Sequence, residues 1–211
     1  MKTRFTLTSL ALASLMMMGN SAMAAVVSSG TEQYFNVKIK IAGSCEVFTT
    51  TSGMPSGPIT SESDPTSGTD IDFGEQKAET SSPALERMNK GNAAQGIVVN
   101  CSKNTAFKVA MDPESSHSQE GSGEMTGLSS QEKIAYQLYK PTVTGSGLSA
   151  QLGTETASTN KWGKDNNALS LTGKGLGTAI NIPVFAKIEQ GVLADKTPDT
   201  YQDRVKVTLT Y

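Results

Sequence analysis

Residues 34–41 alternate apolar and polar side chains. Phe35, Val37, Ile39 and Ile41 fall on one face, and Asn36, Lys38 and Lys40 on the other. A period of two is the signature of a half-buried β-strand. The pattern returns at the other end of the sequence, where Val205, Val207, Leu209 and Tyr211 share one face and Arg204, Lys206, Thr208 and Thr210 the other. No stretch of useful length keeps the 3.6-residue period of an amphipathic helix, so the expected fold is all-β. The alternation by itself leaves two uses open for these end segments. Each is either a core strand of a single monomer or a strand that meets another chain.

The first residues limit where such a chain works. Lys2 and Arg4 precede a short apolar run, and Ala22-Met23-Ala24 supplies a small-x-small cleavage pattern, so residues 1–24 read as a secretory signal. The run is too short to span a bilayer core of about 30 Å, and no later segment is apolar enough to span one. Cleavage leaves 211 − 24 = 187 residues, enough for one domain. It also removes two of 18 basic residues and none of 20 acidic ones, leaving 16 − 20 = −4. The charge is spread thinly, with no basic block, which argues against nucleic-acid binding. Cys45 and Cys101 are the only cysteines, and an even pair in an exported chain is expected to form one disulfide.

Between the two ends, short strand signals alternate with Gly-, Ser- and Pro-rich stretches. Residues 49–69 and 112–131 read as long polar loops, and residues 142–165, which include the sole Trp162, are weakly patterned. Strands are expected at residues 71–74, 96–101, 106–111, 134–139 and 168–171. Residues 180–188 read as one edge or bulged strand interrupted by Pro183, and residues 201–211 as one strand. A short helical turn is expected over residues 83–88. Together these predict an antiparallel β-sandwich with Greek-key connections.

Catalytic constellations are missing from the pattern. His117, the only histidine, sits in a polar stretch and reads as a solvated surface residue. Gly173-Lys174-Gly175-Leu176-Gly177 lacks the following helix that a phosphate loop needs, and reads as a turn between strands. Asp64, Asp70, Glu114 and Glu124 lack calcium-loop spacing. No catalytic residue, cofactor site or metal site is read, and the chain is not expected to be an enzyme.

The expected exported β-domain opens with Phe35-x-Val37-x-Ile39-x-Ile41 and Cys45, and continues through residues 96–101 and Tyr136-x-x-Tyr139. It then runs through Ile182-Pro183-Val184-Phe185-Ala186-Lys187-Ile188 to Tyr201-x-Asp203-x-Val205-x-Val207-x-Leu209-x-Tyr211. Over nearly the whole mature chain this resembles the spore coat protein U domain family, which includes pilins of archaic, Csu-type chaperone–usher pili. The resemblance implies an incomplete immunoglobulin-like sandwich lacking its last strand. A periplasmic chaperone lends the missing strand, and at an outer-membrane usher the N-terminal extension of the next subunit replaces it. On that reading residues 25–44 are the extension and residues 45–211 the pilin domain. Phe35, Val37, Ile39 and Ile41 become donor-strand plugs, whose burial is worth roughly 6–12 kcal/mol as an upper estimate. Val205, Val207, Leu209 and Tyr211 line the groove that chaperone and donor cover, and the Tyr211 carboxylate helps anchor the chaperone. The implied partners are chaperone, usher, further copies and related subunits, and the implied place is the cell surface, in adhesion and biofilm. Two alternatives stay open: a tip or minor subunit binding a surface or glycan, and a self-complemented secreted coat protein.

Overall fold

The computed structural model describes residues 34–49, 69–89, 96–153 and 160–211. The expected signal, the start of the extension and most of the first polar loop lie outside these residues. The chain divides into two compact units, Met1–Lys40 and Ile41–Tyr211, and the second holds every strand among the described residues.

Among the described residues thirteen short strands form: β1 (Cys45–Thr49), β2 (Leu85–Met88), β3 (Ile97–Cys101), β4 (Ala106–Pro113), β5 (Ser122–Gly127), β6 (Lys133–Tyr139), β7 (Val143–Thr144), β8 (Gln151–Leu152), β9 (Leu169–Thr172), β10 (Ile180–Ile182), β11 (Phe185–Ile188), β12 (Tyr201–Gln202) and β13 (Val205–Thr210). They assemble as sheets of order β1-β3-β10, β12-β5-β6-β11-β2 and β13-β4-β9, with β7-β8 a separate hairpin. Every pairing is antiparallel. The fold is an all-β, immunoglobulin-like sandwich. Its core takes Ile97 and Val99 from the first sheet, Leu138 and Ile188 from the second, and Phe107, Val109 and Met111 from the third. Trp162 is fully buried among them.

The core explains several departures from the sequence reading. Residues 83–88 are no helical turn: Leu85 is buried and β2 pairs with β11, Leu85 opposite Ile188. Leu, Glu, Arg and Met favour helix locally, but ladder pairing outweighs that preference. The polar stretch 112–131 contains β5, which pairs with β6 and places Gly123 opposite Tyr136. A Cβ at Gly123 would collide with the Tyr136 ring, so this glycine serves packing where it suggests a loop. Residues 71–74 form no strand, although Ile71 and Phe73 pack against the core.

Residues 180–188 are two strands in different sheets, not one bulged strand. β10 is the edge of its sheet, whereas β11 lies between β6 and β2. Pro183 stands at the crossing, where its missing N–H ends the β10 ladder. The Asn89 N–H donates to the Val184 carbonyl at 2.9 Å, and the Val184 N–H to Asn89 Oδ1 at 3.1 Å. Residues 201–211 are likewise divided: β12 pairs with β5, and β13 with β4.

Candidate strand-acceptor groove

β4 is satisfied on both edges. One carries the β13 ladder, and the other carries β9 and then Gly163, whose carbonyl accepts from the Met111 N–H at 3.0 Å. The Trp162 indole N–H also donates to the Val109 carbonyl, at 2.9 Å. β13 differs. It ends its sheet, and no described strand pairs with its other side. β1 ends its own sheet in the same way. The two approach within 8 Å between Cα atoms without forming a ladder, where paired strands would lie about 4.8 Å apart.

Burial marks the inner faces of both strands as unfinished. Val109 and Met111 on β4 are fully buried, but their ladder partners Leu209 and Val207 are only half-buried. On the other bank Val99 is fully buried, and its partner Val47 on β1 is half-buried. These half-buried residues pack against the core yet keep one side uncovered.

The backbone is oriented in the same sense. The Glu114 N–H donates to the Arg204 carbonyl at 2.8 Å, so Arg204 and every second residue after it direct their main-chain groups toward β4. Val205, Val207 and Leu209 therefore direct theirs outward, to the open edge. On β1 the Ser102 N–H donates to the Ser44 carbonyl at 2.8 Å, which leaves Cys45 and Val47 facing the opposite open edge. Both banks thus present ladder groups and apolar side chains together, as an incoming strand requires.

Two fixtures hold the banks in place. At the corner between β12 and β13, Asp203 Oδ2 accepts from the Tyr136 hydroxyl at 2.7 Å and the Ser115 hydroxyl at 2.6 Å. Its Oδ1 accepts from the Arg204 N–H at 2.8 Å. Burial, and then the Asp203 carboxylate, push the Tyr136 phenol well above its usual range, so it stays a donor. At the root of β1, Cys45 is disulfide-bonded to Cys101. There Ser44 and Ser102 also exchange bonds, with the Ser44 N–H donating to Ser102 Oγ at 3.1 Å.

Of the residues expected in the groove, Val205, Val207 and Leu209 form one inward row, and Tyr211 continues it as an exposed side chain. The expected plugs belong to a segment with no strand assigned: Phe35, Val37 and Ile39 are each 87% exposed and Ile41 82%. Val47, half-buried on the open edge strand β1, joins the candidate groove although its sequence did not single it out. Its alternation, Cys45-x-Val47-x-Thr49, is too short to stand out.

His117 is exposed on a turn after β4, with Nδ1 3.3 Å from Asp112 Oδ1. The Gly173–Gly177 segment is a turn braced on its neighbour, the Gly175 N–H donating to the Cys101 carbonyl at 3.0 Å. Among the described residues no three His, Cys, Asp or Glu side chains gather to hold a metal ion, and no helix is long and apolar enough to cross a membrane.

The Spore Coat Protein U domain model matches residues 31–208. The chain belongs to this family. No curated protein matches it. Among solved structures, one similar chain comes from the crystal structure of the CsuC–CsuE chaperone–tip adhesion subunit pre-assembly complex of archaic chaperone-usher Csu pili from Acinetobacter baumannii. The identity is 15% and the TM-score 0.41, with 81% of this chain and 40% of that chain covered. The chain therefore spans about two fifths of that neighbour's length, and a likeness this distant carries no argument.

Proposed function

We propose that this spore coat protein U domain chain is a structural subunit of a chaperone–usher pilus, exported to the cell surface and polymerising by donor-strand exchange. The single observation that carries the reading is the pair of edge strands β1 and β13, half-buried on their apolar faces and open along their main chains. A donor strand completes the sheet by β-augmentation: ladder bonds supply general affinity, and alternate side chains entering the groove set the register. The chain's own extension has the required form, with Phe35, Val37, Ile39 and Ile41 on one face. In the periplasm a chaperone strand fills the groove, and at the usher the extension of the next subunit displaces it. Adhesion and biofilm formation follow from the fibre.

Pili isolated from cells expressing the chain are expected, when probed with an antibody to it, to give a ladder in SDS that collapses on boiling to the band of the monomer. Deleting residues 25–41, or placing aspartate at Val207, is expected to abolish the ladder. A deletion variant that still polymerises would overturn the reading.

A further inference from the structure

The outward row of β13 carries only Lys206, Thr208 and Thr210, and half-buried Arg204 precedes it in the same alternation. Neither cation has an ion-pair partner among the described residues. Lys206 stands opposite Asp112, but that carboxylate is taken by Lys164 Nζ at 2.9 Å and approached by His117. Arg204 stands opposite Glu114 through the continuing ladder, yet its Nε and Nη2 are shielded from water and bonded to nothing. Arg204 therefore adds an unpaired positive charge two residues from Lys206.

The chain's own extension brings the wrong sign. In an antiparallel ladder, the more stable kind, seating residues 35, 37, 39 and 41 against 211, 209, 207 and 205 places Lys40 opposite Lys206. Lys38 then lies diagonal to Lys206. Like charges directly opposite on a sheet are destabilising. Glu46, the outward carboxylate of β1, sits at the Cys101 end of the groove and so at the Thr210 end of β13. It does not offset the contact at Lys206.

We infer that the groove selects a donor strand whose outward side chains are acidic, so that this subunit takes its donor from a different polypeptide in preference to a second copy of itself. The inference rests on the strand-insertion reading above. It assigns the chain to mixed joints within a fibre, and the selection acts through Arg204 and Lys206.

The test is fluorescence anisotropy on the full mature chain with three labelled peptides. The first is residues 34–41, the second carries Lys38→Glu and Lys40→Glu, and the third adds serine at positions 35, 37, 39 and 41 to the second. Any competition from the chain's own extension is common to all three. At about 10 mM salt the acidic peptide is expected to bind about tenfold more tightly than the lysine peptide. The ratio should fall toward one near 1 M salt, where the Debye length is about 3 Å. Lys206→Glu, at an exposed position, should reverse the order; adding Arg204→Glu should widen the reversal. Equal or weaker binding of the acidic peptide at low salt overturns the inference and leaves strand insertion standing. Binding of the serine peptide as tight as the others, or binding of none, overturns the insertion reading and the inference with it.

Discussion

Tyr136 and Asp203 show how single residues set the groove's shape. The chain changes sheets between β12 and β13, and only a fixed corner aims β13 correctly. Asp203 provides it by accepting from Tyr136, Ser115 and the next main-chain N–H. Tyr136→Phe keeps the ring against Gly123 and removes one bond to a charged acceptor. The expected loss is about 1.5–3 kcal/mol, measured by urea unfolding of the disulfide-intact chain; a loss below a few tenths would show that the corner is held by other contacts. The motif Tyr136-x-x-Tyr139 and the motif around Asp203 were both visible in the sequence. Their union was not, because a bond between residues 67 positions apart leaves no periodic trace. Trp162 was hidden for a related reason: its neighbours are polar, and its burial comes from contacts with β4 and β6 that no local pattern reports.

Elements were legible where one face is apolar and the other wet. β13 alternates cleanly because its outer row faces solvent, and β3 and β4 are rich in Val, Ile and Phe. β5 was not legible, since Ser, Gly, Glu and Thr dominate it and its ladder is supported from β6. At the far end of that hairpin, two carboxylates clasp the turn to the segment leading into β12. Asp199 Oδ2 accepts from the N–H groups of Ser130 at 2.7 Å and Ser129 at 2.9 Å, which hold its carboxyl down at about 2. Glu132 accepts from the Thr197 N–H and hydroxyl, each at 2.8 Å, and these bonds hold it below its ordinary value. Both pKa values are lowered by folding, so the folded state favours the ionised forms. Their contribution is complete above the ordinary carboxylate range and is lost as pH falls toward about 2. Melting temperatures are expected to hold steady above about pH 5 and to drop below pH 4. Asp199→Asn should lower stability at neutral pH and flatten the acid limb; an unchanged limb would remove Asp199 from the account.

At the scale of the molecule, the sequence was most informative at its ends and in its two cysteines. The all-β sandwich and the disulfide pairing followed from them, whereas the two crossings between sheets, at Pro183 and at Asp203, did not. Patterning registers which face is apolar but not which neighbour covers it. The disulfide then acquires a second meaning from its place in the fold. Cys45 is the first residue of β1, opposite the last residue of β3, so the covalent link sits where the chain first enters the sheet. In a fibre joined by extensions, tension entering at Ser44 passes through Cys45–Cys101 to β3, inside the sheet, before it can peel β1 away. Without the link, β1 is a five-residue strand held only by its ladder to β3 and by the inserted donor. Replacing both cysteines by serine opens a loop with a sequence separation of 56. The expected loss is about 4 kcal/mol in the chain-entropy model. In single-molecule pulling of assembled fibres, the oxidised subunit should keep β1 until the whole domain unfolds. The double variant should release β1 first, as a separate lengthening step that the oxidised fibre lacks. Identical rupture patterns in the two fibres would show that the load bypasses β1.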